Sequence, residues 1–171
     1  MKARYIRAMD ALHRLCLWAS GVCLIVITLI IPWGVYTRYV LGYGSSWPEP
    51  LAVLLMIVVS FLSAALCYRD NLHIAVMALP NALDGAARTA LGWVVEICMV
   101  ATNLFMLVWG VELVKTTWFQ VIAEFPVVSV GLSYLPVPLA GAITMLFVVE
   151  RLWTGNLFAP PSGASITHGT E

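Results

Sequence analysis

The sequence predicts an all-α membrane protein with four transmembrane helices, short interfacial amphipathic helices and both termini in the cytoplasm. Three observations carry that expectation. Of its 171 residues, 61% are hydrophobic and only 11% are charged, against about a quarter charged in ordinary globular domains; the mean hydropathy is +0.92. The charges leave long gaps: Leu15 to Thr37 (23 residues), Pro50 to Tyr68 (19) and Phe125 to Val149 (25) carry none, and Thr89 to Val111 (23) carries only Glu96. Crossing roughly 30 Å of hydrocarbon takes about 20 apolar residues at ~1.5 Å each, so all four stretches can span.

The basic residues supply the third observation. Four lie before residue 15 (Lys2, Arg4, Arg7, Arg14), Arg69 and Arg88 flank the segment after the second stretch, and Arg151 follows the fourth. Only Arg38 and Lys115 fall on the other side, so the positive-inside rule places both termini in the cytoplasm. Nine Lys+Arg balance nine Asp+Glu, which leaves no basic excess for nucleic acid. No segment between the spans is long enough for a soluble catalytic domain. Unbroken apolar runs also argue against a β-barrel, whose strands alternate.

In chain order, one four-helix membrane domain covers 1–158, with helices at about 12–36, 50–68, 89–114 and 133–153. Residues 2–14 place Tyr5, Met9, Leu12 and Cys16 at helical spacing, as in an interfacial amphipathic lead-in or a basic tail. The apolar run that follows exceeds the usual signal-peptide length and lacks a small-x-small cleavage site, so a retained first helix is expected. Trp33, Tyr36, Tyr39, Tyr43 and Trp47 cluster where an outer aromatic belt belongs. Two Gly and two Pro shape the loop 41–50, and Ser46 or Glu49 is placed to complement the start of the second helix.

Ser60, Ser63, Ala64 and Cys67 are small residues at spacings that admit a neighbouring helix. Leu72, Val76, Leu79, Leu83 and Ala87 form a stripe that predicts interfacial helices over about 71–88, broken near Pro80. The segment 159–171, rich in Pro, Ser, Gly and Thr, reads as a flexible tail. The halves show no internal repeat of the kind that builds many self-sufficient transporters.

Chemistry-bearing residues are few. Glu96 is an ionisable group inside a span and therefore a functional candidate; it can equally sit hydrated near the interface or pair with Arg88. The histidines, His13, His73 and His168, lie at boundaries or in the tail, so no paired imidazoles exist for haem and no cluster has metal-ligand spacing. Cys16, Cys23, Cys67 and Cys98 include no CxxC pair and read as small packing residues. No GxSxG is present, and neither an enzyme nor a bound cofactor is expected. The polar residues concentrate at the ends of the second helix: Arg38, Trp47 and Glu49 at one end, Arg69, Asp70 and His73 at the other.

Taken together, Arg38-Tyr-Val-Leu-Gly42, Ser46-Trp-Pro-Glu49, Phe61-Leu-Ser-Ala-Ala65 and Tyr68-Arg-Asp-Asn-Leu-His-Ile74 resemble the small, DctQ-like membrane subunit of tripartite ATP-independent periplasmic (TRAP) transporters. Tyr134, Pro136 and Pro138 resemble the start of that family's last helix. Differences from the pattern are Pro50 for a second Glu, Ser63 for Gly, Val53 for a common Arg and Met77 for the Asp after His-Ile-x-Val. The resemblance implies a bacterial inner-membrane importer of organic acids driven by a cation gradient. Its periplasmic protein captures substrate, its large membrane subunit carries it, and this subunit is a scaffold without a substrate site. Arg38, Trp47 and Glu49 would then face the large subunit or the periplasmic protein, Arg69 and His73 would support the inner interface, and membrane lipids would cover the rest. The alternative is a self-contained homodimeric exporter coupling protons through Glu96.

Overall fold

The computed structural model describes residues 2–70, 86–122 and 125–154. A 38-residue helix, α1 (Lys2–Tyr39), is followed by α2 (Pro48–Arg69) and α3 (Ala86–Thr117). A two-stranded antiparallel hairpin comes next, β1 (Val121–Ile122) and β2 (Phe125–Ser129), and then the short α4 (Val130–Tyr134) and α5 (Pro136–Thr154). Among the described residues, four segments are long and apolar enough to cross a membrane: Ala3–Tyr39, Pro48–Arg69, Thr89–Thr117 and Val130–Trp153.

The spans lie where the charge-free stretches put them, with differences at the edges. Residues 2–14 are helical and run without a break into the first span, as a lead-in and not as a loose tail. The first helix, expected to end near residue 36, runs on to Tyr39 with Pro32 inside it. A proline costs one backbone hydrogen bond, which a membrane helix tolerates where neighbouring groups compensate. Helix α3 begins at Ala86, so residues 86–88 belong to it and not to an interfacial segment. The rest of that segment, 71–85, and the tail 159–171 lie outside the described residues.

Two features were not anticipated. The run Phe125 to Val149 is not one helix: its first five residues are β2, pairing Val121 with Ser129 and Ile122 with Phe125. Ser129 then caps α4 by accepting from the Leu132 N–H at 3.2 Å, and Pro136, which has no N–H to give, separates α4 from α5. At the start of α2 the expected cap is absent. Trp47 is the N-cap and makes no side-chain cap bond; Pro48 at the first helical position needs no donor there, and Glu49 contributes only its charge near the positive helix end.

The packing seams run α1 to α2, α2 to α5 and α5 to α3. Small residues set the close approaches. A Cβ on Gly34 would lie 3.2 Å from Pro48, one on Gly110 3.0 Å from Pro138, and one on Gly141 3.2 Å from the Asn103 carbonyl. The expected small stripe does not form the seam: Ser60 and Ala64 are exposed, while Ala52, Ala65, Leu66, Tyr68 and Arg69 are buried. Met9, Ala65, Tyr68, Phe147 and Val148 form the core. It sits where the start of α1 meets the ends of α2 and α5, so the described termini lie at one end of the bundle. Only 11–28% of each span's apolar window is buried, so most of the helix surface is left for lipid or another chain.

Gly131 is held under the end of α3, where an added Cβ would come 2.8 Å from the Trp118 Cα and 3.0 Å from the Val114 carbonyl. Gly131→Ala should destabilise by about 1–3 kcal/mol through overpacking, read as a lower unfolding midpoint in detergent. Gly44→Ala, with nothing within 4 Å of the added atom, should not. Equal midpoints for the two variants would show that the turn relaxes around the methyl.

Candidate functional site: a buried charge network and an open outer end

Ionisable side chains from all four spans converge at the end that holds the described termini. Arg69, the last residue of α2, points inward and is 6% exposed. Its Nε and Nη2 donate to Glu150 of α5 at 3.0 Å each, and Nη2 also donates to Asp10 of α1 at 2.6 Å. The two-pronged guanidinium–carboxylate pairing fixes direction as well as distance. The guanidinium also lies 5.2 Å from the Phe147 ring centroid.

The neighbouring residue of α5 repeats the arrangement toward α3. Arg151 donates from Nη1 to Glu96 at 3.0 Å and from Nη2 to the Tyr68 carbonyl at 2.9 Å. The Tyr68 hydroxyl donates to the other Glu96 oxygen at 2.5 Å, and the Arg151 guanidinium stacks 4.3 Å above the Tyr68 ring. His13 Nε2 lies 3.0 Å from Asp70, and the Tyr5 hydroxyl donates to the Leu146 carbonyl at 3.0 Å. Consecutive residues of α2 and of α5 therefore point to different neighbours, which is how two arginines tie four helices.

A charge in the membrane interior is costly unless paired. Here Glu96 is 2% and Glu150 2% exposed, and Arg151 and Arg69 supply the opposite charges. Glu96 is thus held by Arg151 and Tyr68; Arg88, the partner suggested by helical spacing, has no described side chain. Arg69 was expected at a partner-facing inner interface; its side chain is instead committed inside the chain. His73 lies outside the described residues. Asp10, His13, Glu150 and Arg151 were not singled out from the sequence. The available signal was that each lies within two turns of a predicted span end, where a buried arginine could reach it.

The opposite end is different. Arg38 and Glu49 are exposed, and Trp47 is 38% exposed. Among the described residues neither Arg38 nor Glu49 makes an ion pair. Both line two clefts. One, of about 370 Å³, lies between α1 and α2 against Ile31, Val35, Ala52 and Met56. The other, of about 620 Å³, lies between α2, β1 and α4 against Ile122, Val130 and Tyr134. Trp33, Tyr36, Tyr39 and Tyr43 are all exposed around this end, as an interfacial belt requires.

Among the described residues no group of three or more His, Cys, Asp or Glu could hold a metal ion. All four cysteines are free; Cys16 is buried, but Cys98 is exposed and not a packing residue. Fold and site together define a multi-pass membrane protein whose charges serve helix assembly at one end and lie open at the other.

Comparison with known proteins gives the family. Residues 27–156 match the DctQ component of the tripartite ATP-independent periplasmic transporters, and the chain belongs to that family. It is also similar to a TRAP transporter small permease protein of Haemophilus influenzae, 26% identical over 148 residues that cover 83% of this chain and 85% of the relative. The protein is therefore a small subunit of a TRAP transporter in the bacterial inner membrane, a transport component and not an enzyme.

Removing one partner of the Arg69–Glu150 pair leaves a buried charge uncompensated. Arg69→Met should cost about 3–5 kcal/mol, read as a lower unfolding midpoint in detergent. Arg69→Met with Glu150→Leu should recover a large part of that loss, because Asp10, 41% exposed, can be hydrated. A double variant no more stable than the single one would show that the loss does not come from an uncompensated Glu150 charge.

Proposed function

We propose that the chain is the scaffold-forming small permease of a cation-gradient-driven importer of organic acids. In this reading it packs beside a large membrane subunit, serves a periplasmic substrate-binding protein, keeps both termini cytoplasmic and holds no substrate site of its own. The observation that most supports it is the outer end. Arg38 and Glu49 are exposed, lack ion-pair partners among the described residues and line apolar clefts, the composition of a surface awaiting a complementary chain. Trp47 beside them is the kind of aromatic anchor that dominates interface energetics.

The geometry supports a division of labour. Arg38, Trp47 and Glu49 meet the partners; Arg69 acts indirectly, by holding α1, α2 and α5 in the arrangement that presents those residues. His73 is proposed for the inner interface on the family resemblance alone. A rigid small subunit widens the fixed part of the complex, against which the moving part of the large subunit works. Family membership displaces the self-contained exporter, and Glu96, already bonded to Arg151 and Tyr68, offers no observation in its favour.

The test is transport in cells expressing the complete system. Glu49→Ala and Arg38→Ala should each lower uptake several-fold while the purified periplasmic protein binds its ligand unchanged. Wild-type uptake in both variants, at equal expression, would remove these residues from the interface.

A further inference from the structure

The first turns of α1 have a fixed rotation. Met9 and Cys16 are buried, Asp10 is paired with Arg69, His13 with Asp70, and Tyr5 bonds to Leu146, so this face is held against α2 and α5. On the opposite face Arg4, Arg7 and Arg14 are all exposed. At ~100° per residue they fall, with Ala11 and Trp18, inside an arc of about 80° directed away from the bundle.

Two of the three arginines bond to backbone instead. Arg7 Nε donates back to the Ala3 carbonyl at 3.2 Å and Arg14 Nε to the Asp10 carbonyl at 3.3 Å. Among the described residues, none of the three pairs with a carboxylate. Asp10 is the only acidic residue between positions 1 and 48, and it is turned to Arg69. Directly below Arg14 the surface becomes apolar: Leu15 is 65%, Leu17 55% and Trp18 75% exposed. Such a change from cations to exposed aliphatic and aromatic groups marks the boundary between headgroups and acyl chains. Helix α1, 38 residues or about 57 Å at ~1.5 Å per residue, exceeds the roughly 40–45 Å of a whole bilayer. Its first turns therefore lie among and just beyond the headgroups.

We propose that Arg4, Arg7 and Arg14 form a binding stripe for anionic phospholipid headgroups on the outward face of α1. Guanidinium groups pair two-pronged with phosphate, and spacing of one turn and then two along a single face presents them as a row to the bilayer surface. Zwitterionic lipids offer the same phosphate with a compensating ammonium, so the selectivity is for net negative charge. The stripe depends on the packing of this chain alone, so it stands or falls independently of the partner interface at the other end.

The test uses the full chain, purified in mild detergent with equal added amounts of phosphatidylglycerol and phosphatidylcholine, with retained lipid measured by native mass spectrometry. An arginine near an anionic surface strengthens attraction roughly five-fold. The wild type should therefore retain phosphatidylglycerol at least about five-fold over phosphatidylcholine, falling at high salt. Arg4→Gln, Arg7→Gln and Arg14→Gln combined should bring the ratio to near parity, while Lys115→Gln at the other end leaves it unchanged. The proposal is overturned if the wild type shows no preference, if its preference is insensitive to salt, or if the triple variant keeps it. It is equally overturned if the triple variant loses a co-purifying protein while its lipid preference persists, since the stripe would then be a protein contact. Because the wild-type preference and its salt response are read without any substitution, a triple variant that fails to fold does not shield the idea.

Discussion

Two buried arginines dictate the arrangement of this subunit. Once Arg69 and Arg151 enter an apolar bundle, each must meet carboxylates at hydrogen-bond distance or impose a desolvation cost of several kcal/mol. Glu150 and Asp10 satisfy the first, and Glu96 the second. Because these partners come from α1, α3 and α5, satisfying two residues sets the relative rotation of every span at that end. Hydrophobic burial cannot do this inside a bilayer, where lipid tails are as apolar as leucine. Directional polar pairing and close contacts at Gly34, Gly110, Gly131 and Gly141 take its place.

The consequence for function is a polarity along the bundle axis. At the network end the described charges are largely satisfied within the chain, apart from the arginine face of α1. At the other end Arg38, Trp47 and Glu49 stay open beside two clefts. A protein built this way is rigid where its helices are tied and receptive where they are not. That suits the scaffold role proposed here for this TRAP transporter subunit.

How much of this was legible depends on the range of the interaction. The four spans follow from local composition, because about 20 apolar residues without charge have few other fates in a cell. The hairpin did not, since Phe125 to Val149 is uncharged throughout and periodicity cannot separate a buried strand from a helix. Its signal was Val127-Val128 beside Pro126, β-branched residues next to a helix breaker. The network was invisible for a different reason. Arg69 and Glu150 are 81 residues apart and Arg151 and Glu96 are 55 apart, so no spacing rule connects them, and periodicity pointed to Arg88 for Glu96. Glu49 and Arg38 were found because their order along the chain matches a family pattern, not because their chemistry is distinctive.

The most direct measurement is the composition of the complex formed in the native membrane. Solubilised gently through a C-terminal tag and weighed intact, the chain is predicted to come with one copy of a much larger polytopic membrane protein. Recovery of the chain alone, or only with further copies of itself, would contradict its role as a scaffold for another subunit.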